Sequence, residues 1–271
     1  MPLAVCATPI GNLDDVTLRV LAELAAADLV LAEDTRHTRL LLDRHRIEAR
    51  MLSLHAHNEA ARTAELLPRL RAGERVALVT DAGMPGISDP GALLVAAALA
   101  AEIAVSVLPG PSAVETALLA SGLAAGRYLF LGFLPRRAGE LDALWRELRG
   151  RRSPAVAFES PRRLPATLRS LAAALPEREV AVCRELTKRF EQVIRGSAAE
   201  LARRLDAPPK GEITLVIGGG AGAEEPLSTH VADAAAAVAL LVSSGAPRKV
   251  AVEVVSSLTG TARNELYRAS L

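Results

Sequence analysis

The stretch Leu78-Val-Thr-Asp-Ala-Gly-Met-Pro-Gly-Ile-Ser-Asp-Pro-Gly91 constrains this chain more than any other. It follows the apolar, β-type run Val76–Val79, and between Asp81 and Gly91 it holds three Gly, two Pro and two Asp. Glycine permits positive φ and close backbone approach, while proline fixes the path of the chain. A loop specified so heavily holds a ligand, and the carboxyl end of a parallel strand is where open α/β sheets bind theirs. A second Gly/Pro turn, Leu108-Pro-Gly-Pro-Ser-Ala113, follows within about twenty residues.

Around that loop, β-like runs alternate with helical patterns. Leu3–Ala7, Leu29–Ala32, Met51–Leu54, Val76–Thr80 and Ile103–Leu108 read as strands. Segments near 14–25, 36–46, 58–71 and 91–101 read as helices. This alternation predicts an α/β fold with a mostly parallel sheet covered on both faces. Asp89-Pro90 is expected to cap the helix after the loop, Ser112-x-x-Glu115 to open the next as a capping box, and Asn58 to cap the one before.

The second half changes character. Tyr128–Phe133, Ala155–Phe158, Val180–Arg184, Gln192–Ile194 and Glu212–Ile217 read as strands. The connection between the runs around Val182 and Val193 is too short for a helix, so that pair is antiparallel and the sheet mixed. Ser160-Pro161 is expected to open a helix after Phe158. Gly218–Gly222, continuing to Pro226, reads as a linker into a helical tail broken at Gly245-Ala-Pro247 and Gly260. The organisation expected is residues 1–115, 116–222 and 223–271: two α/β domains and a short helical tail.

The 271 residues carry a net charge of +1, so overall charge announces no nucleic-acid partner. Its distribution is more telling. Residues 1–35 hold six acids and one Arg, whereas residues 127–169 hold ten Arg and four acids. A basic face in the middle of the chain suits an RNA backbone. Arg supplies 29 of the 32 basic residues, and with Ala so abundant this global usage fits a GC-rich genome; only the clustering speaks for phosphate recognition. Cys6 and Cys183 lie in apolar runs without a Cys-x-x-Cys partner, as buried thiols in a reducing cytosol would. The chain opens without a signal-peptide pattern, and its longest apolar run, Ala92–Ala101, is too short to cross a bilayer. A cytoplasmic protein without a membrane partner is expected.

Several short motifs sit at strand ends. Thr8-Pro-Ile-Gly-Asn12 offers Gly11 for close approach and Asn12 as a cap. Glu33-Asp-Thr-Arg36 places two carboxylates beside an Arg, either to orient a substrate or to cap a helix. His55-x-His57 lacks a third ligand, so no metal is expected. Glu159 beside Arg162 and Arg163 is an ion pair or a substrate contact. Lys188, in Arg184-Glu-Leu-Thr-Lys188, is one of only three lysines, and lysine shifts its pKa readily when desolvated.

Together these motifs form a series: ATPIGNLDDVTLR, EDTRHTRLLL, SLHAHNE, VTDAGMPGISDPG, LPGPSA, FLGFLPR, FESPRRL, RELTKRFE and KGEITLVI. In that order they resemble the tetrapyrrole-methylase-like (class III) S-adenosylmethionine-dependent methyltransferases, from residue 3 to about 218. Within the family the chain is most similar to members that methylate the ribose 2′-hydroxyl of a decoding-centre cytidine in 16S rRNA. The resemblance implies S-adenosylmethionine as cofactor in a cleft between the two α/β domains, 16S rRNA or the small ribosomal subunit as partner, and a homodimer. It implies a cofactor wall of Gly11, Asn12, Asp81, Gly83, Met84, Pro109, Gly110, Pro111, Ser112 and Ala113. Asp34, Glu159 and Lys188 become the catalytic candidates, with Lys188 neutral or polarising a hydroxyl and Glu159 positioning the ribose. Arg36, Arg136, Arg137, Arg151, Arg152, Arg162 and Arg163 become the RNA contacts. Relatives commonly read Phe-Tyr-Glu-Ser-Pro-His-Arg where this chain has Ala157-Phe158-Glu159-Ser160-Pro161-Arg162-Arg163, so a Tyr hydroxyl and a His imidazole are missing here. A tetrapyrrole C-methyltransferase would want an aromatic-rich cleft, and aromatics are only 3%. A non-catalytic RNA-binding scaffold has no use for the Asp81–Gly91 loop, and a Rossmann dehydrogenase would need the absent G-x-G-x-x-G.

Overall fold

The computed structural model describes residues 2–220, 227–259 and 261–270. Five strands, β1 (Leu3–Cys6), β2 (Leu29–Ala32), β3 (Met51–Ser53), β4 (Val76–Leu78) and β5 (Val105–Leu108), form a sheet of order β3-β2-β4-β1-β5. All four of its pairings are parallel. Side chains alternate across a strand, and both sets here are apolar. Leu3, Val5, Leu29, Leu31, Val76 and Leu78 face α3 (Glu59–Arg71) and α4 (Ala92–Ala100). Ala4, Cys6, Val30, Ala32, Ala77 and Val79 face α1 (Leu18–Ala26) and α2 (Thr35–Arg44). The result is the three-layer arrangement that the alternating pattern predicts.

The second sheet has order β6-β7-β10-β8-β9, from β6 (Leu129–Phe133), β7 (Ala155–Glu159), β8 (Glu179–Arg184), β9 (Gln192–Ser197) and β10 (Ile213–Ile217). It is mixed: β6 and β7 run parallel, the other pairings antiparallel, including the expected β8–β9 hairpin. One face packs on α6 (Ala138–Arg149), α7 (Leu164–Ala174) and α8 (Ala198–Arg204), with Trp145 fully buried. The other packs on α5 (Ala113–Ser121) and on Ile10 and Ala82 from the first sheet's loops. The two sheets thus share a buried seam.

Two expected helix starts and two expected side-chain caps are corrected. α4 begins at Ala92 with Gly91 as its N-cap at φ +127°, so Asp89-Pro90 lies outside it. Its first amides are satisfied from another helix, where one Glu59 carboxylate oxygen accepts from Gly91 N at 2.8 Å and Leu93 N at 2.9 Å. Asn58 is the N-cap residue of α3, as expected, but it turns its side chain back, accepting from His55 N and donating to the Ser53 carbonyl, and makes no cap bond. After β7, residues 161–163 make a turn and α7 starts only at Leu164. Ser112 is the N-cap residue of α5, but its hydroxyl donates to the Glu115 carboxylate instead of closing a capping box.

Gly218–Gly220 are packed rather than free. Gly220 N donates to Arg151 O at 2.8 Å, and a Cβ on Gly219 would fall 1.6 Å from Arg152 O. The rest of the expected linker, residues 221–226, lies outside the described residues, as does the break at Gly260. Residues 221–271 form a separate unit containing α9 (Leu227–Ser243), α10 (Arg248–Thr259) and α11 (Arg263–Ala269). Ala234, Val238, Ala251, Val252, Val255 and Leu266 make its own small core.

Candidate functional site

The carboxyl ends of β1, β4 and β5 bring three loops together. Thr8 and Gly83 exchange backbone hydrogen bonds at 2.9 and 3.1 Å, and the Thr8 hydroxyl donates to Thr80 O at 2.9 Å. Gly83 takes φ +74°, with its missing Cβ position 4.0 Å from Pro111 O. A Cβ on Gly110 would meet the Ala7 methyl at 2.9 Å, so only glycine lets the β5 loop lie this close to β1. The 8–12, 81–84 and 109–113 segments expected to form one wall are therefore neighbours. Met84 packs its half-buried side chain against the parallel sheet's core. The Asn12 carboxamide accepts from Asp14 N, capping the short 3-10 turn Leu13–Asp15.

Carboxylates crowd the same end of the sheet. Asp81 accepts from Asp34 N at 3.1 Å. Burial first, then the charges of Glu33 and Asp81, push Asp89 up to about 6. Glu33 is raised by burial and by Asp81. Glu33 belongs to the carboxylate pair that the sequence offers either for orienting a substrate or for capping a helix, whereas Asp89, expected as a helix cap, carries no sequence sign of this setting. A carboxyl with a folded pKa above its ordinary value of 3.8 favours the folded chain only while protonated. That contribution is full below about pH 4 and lost as pH rises through about 6. Asp89→Asn should therefore flatten the decline of Tm between about pH 4 and pH 7. Parallel melts of both proteins at the two pH values check this, and equal declines would refute it.

The three catalytic candidates occupy different settings. Asp34 is the N-cap of α2, and hydrogen bonds from Arg36 hold its carboxyl below the usual range. Arg36 is itself fully exposed around that pair. Lys188 lies in the β8–β9 connection, its ammonium 3.0 Å from Glu185 and 2.9 Å from Glu212. Burial alone would lower its pKa, but the two carboxylates outweigh it and the net shift is upward. Lys188 is thus held protonated, which corrects the neutral alternative and leaves the hydroxyl-polarising one. Glu159 faces away from the loops and is 3% exposed. It accepts from the Thr167 hydroxyl at 2.5 Å, Ser160 N at 2.6 Å and the Arg163 guanidinium at 3.0 Å. Of the two readings of Glu159, the structure realises the ion pair, and a ribose has no access to it.

The β8–β9 connection presses on the β1 loop. A Cβ on Gly11 would lie 2.5 Å from Lys188 Cγ, 2.8 Å from Leu186 O and 2.8 Å from Thr187 Oγ1. Glu185 and Thr187 adopt φ of +52° and +66°, and such strain in a β-branched residue persists only where surrounding contacts over-determine it. Where the two loops meet, an open hollow of about 690 Å³ is lined by Asn12, Asp14, Arg44, Lys188 and Arg189 among others.

The expected RNA-contacting arginines do not form one group. Arg136, Arg137 and Arg162 follow β6 and β7 and are exposed. Arg151 and Arg152 precede β7 and so lie at the opposite end of the same parallel pair, with Arg151 paired to Glu147. Arg163 turns inward, donating to Leu134 O at 2.9 Å and Pro135 O at 2.8 Å as well as to Glu159.

Among the described residues, no helix is long and apolar enough to cross a membrane. The profile of the Tetrapyrrole (Corrin/Porphyrin) Methylases matches residues 2–202. A ribosomal RNA small subunit methyltransferase I from Streptococcus pyogenes serotype M1 is 41% identical over 262 residues, covering 96% of this chain and 91% of that protein. One from Synechocystis sp. is 42% identical over 271 residues, covering 99% and 97%. Among solved structures, uroporphyrin-III C-methyl transferase from Thermus thermophilus complexed with S-adenyl homocysteine superposes with a TM-score of 0.56 at 18% identity, covering 80% of this chain and 96% of that one.

Proposed function

The chain belongs to the tetrapyrrole (corrin/porphyrin) methylase family, in the branch of the ribosomal RNA small subunit methyltransferases I, and from that premise we propose that it methylates 16S rRNA using S-adenosylmethionine. The finer reading is transfer to the ribose 2′-hydroxyl of a decoding-centre cytidine, in the cytoplasm, by a chain that pairs as a homodimer. Residues 1–115 then carry the cofactor wall, residues 116–222 the facing domain and residues 223–271 the helical tail.

The observation that carries the reading is the crowding of Glu33, Asp81 and Asp89 beside the Gly/Pro loops. Burial and the neighbouring carboxylates raise Glu33 and Asp89, and acids crowded in this way at a loop-lined strand end call for a cation. S-adenosylmethionine has an ammonium and a sulfonium and no phosphate, so the residues present fit it. Backbone groups of 8–12, 81–84 and 109–113 would hold the nucleoside and the carboxylate. When bound, the cofactor supplies an electrophilic methyl group on sulfur.

The chain's own contribution is chiefly alignment of the hydroxyl with that methyl group. Protonated Lys188 donates hydrogen bonds, so its place is beside a hydroxyl oxygen or a phosphate, and general-base duty falls elsewhere. Asp34, stabilised as an anion by Arg36, is a weak proton acceptor suited to orienting a ribose. The reading is tested with purified protein, S-adenosylmethionine and small ribosomal subunits from cells lacking this protein, followed by mass spectrometry of 16S rRNA fragments. One new ribose methyl group on a decoding-centre cytidine is expected. An unchanged methylation map would overturn the reading.

A further inference from the structure

Four phenylalanines occur in the chain, and three of them stack in one place. Phe130 and Phe133 of β6 each meet Phe158 of β7 edge to face, with ring centroids 5.3 and 5.5 Å apart. Phe130 and Phe158 belong to the apolar seam between the sheets. Phe133, the outer member, is 64% exposed. It reaches that position through an irregularity: the β6–β7 register shifts between Phe130 and Phe133, and Gly132 takes φ +65°. Bulges of this kind re-aim a side chain and recur beside active sites. The Asp81–Gly91 loop borders the bulge, with Ser88 Oγ 3.4 Å from where a Gly132 Cβ would lie.

The backbone after Phe133 is pinned. Leu134 N donates to Phe158 O at 3.1 Å, and Arg163 holds the carbonyls of Leu134 and Pro135 while Glu159 anchors its charge. Beyond the pinned segment stand Arg136 and Arg137, and from the parallel neighbouring strand end stands Arg162. Their one carboxylate partner among the described residues is Glu140, 3.3 Å from Arg137. A rigid aromatic face beside a surplus of guanidinium groups matches a polyanion that carries flat rings. We propose that Phe133 is a stacking platform for an unpaired nucleobase of the RNA substrate, with Arg136, Arg137 and Arg162 taking the adjoining phosphates. The proposal rests on the rRNA reading above and adds the surface that receives the strand. Stacking on a π-face tolerates any base, so this surface grips a single-stranded segment without selecting its sequence.

The test titrates the full chain against a fluorescein-labelled single-stranded RNA 12-mer of mixed sequence, read by anisotropy. Phe133→Ala should weaken binding by about five-fold or more, and Phe133→Trp should restore it. Phe133→Ala should leave the salt slope unchanged, whereas Arg136→Ala with Arg137→Ala should make it shallower by about 1.4. Unfolding followed by Trp145 fluorescence establishes that each variant is folded. Wild-type RNA affinity in folded Phe133→Ala would overturn the proposal. A switch in sedimentation from dimer to monomer with RNA affinity intact would do the same, and would assign the ring to a second copy of the chain. Methyl transfer to small subunits separates this proposal from the one it rests on. No transfer by the wild type, with RNA affinity still dependent on Phe133, sinks the methylation reading and leaves the platform standing. Normal transfer by both proteins with equal RNA affinity sinks the platform alone.

Discussion

Glu159→Ala should lower the unfolding free energy of the second sheet by about 3–5 kcal/mol, as expected when a buried ion pair loses one partner. The Glu159 side chain is 1% exposed and that of Arg163 30% exposed, so the pair is only partly shielded from solvent on the arginine side. The carboxylate carries more than that pair: the Thr167 hydroxyl and Ser160 N lose their acceptor with it. Buried donors left unsatisfied each cost about 1–3 kcal/mol. Arg163 would keep its two carbonyl partners but lose its counter-charge, which loosens the Leu134–Pro135 segment. Glu159→Gln retains the shape and one acceptor oxygen, so a smaller loss is expected. Trp145, the chain's single tryptophan, lies in the same core cluster as Leu164 and Leu168, and its fluorescence during urea unfolding reports this half directly. A shift of less than about 1 kcal/mol for Glu159→Ala would show that the network adds no more than an average surface contact.

The inward turn of Glu159 marks how far the sequence can be read. In β7, Ala155, Ala157 and Glu159 share the face under the helices, while Val156 and Phe158 share the face toward the seam. Both faces are apolar, so strand parity alone cannot say which one meets the cleft, and a carboxylate at the strand end reads equally well either way. The parallel strands were legible for the same reason: burial on both faces gives short continuous apolar runs, and Gly/Pro loops bracket them. Their order was not, because crossovers leave no local mark. Helix starts failed where the cap comes from elsewhere in the fold, as with Glu59 of α3 on α4. Lys188 stands out as a rare lysine, but its partner Glu212 lies 24 residues away, just before β10. Phe133 carried no signal at all, since a phenylalanine inside a β-type run reads as core until a bulge turns it outward.

Gly11→Val should reduce methyl transfer on the order of 10²-fold, the effect of displacing a reacting geometry by about 1 Å. The new Cβ would sit 2.8 Å from the Leu186 carbonyl, a backbone atom, and 2.5 Å from Lys188 Cγ. The side chain of Lys188 is tied at its far end to Glu185 and Glu212, so it has little room to retreat. The hairpin connection is equally committed: Glu185 and Thr187 already occupy the left-handed region, and Glu191 accepts from Thr187 N at 2.6 Å. The β1 loop must therefore yield, and it is hydrogen-bonded through Thr8 to Gly83 in the Asp81–Gly91 loop. Strain entering at Gly11 thus reaches the carboxylate-bearing end of the sheet. Global stability should fall less, by about 1–3 kcal/mol, as is usual when extra methyl groups are forced into a packed site. Calorimetry with S-adenosylmethionine should show weakened binding in step with the lost rate. Adding Lys188→Ala to Gly11→Val removes one clash but leaves the carbonyl, so S-adenosylmethionine binding in the calorimetry should recover only slightly. Transfer within about three-fold of wild type would mean that the two loops move independently, and the coupling between hairpin and cleft would have to be abandoned.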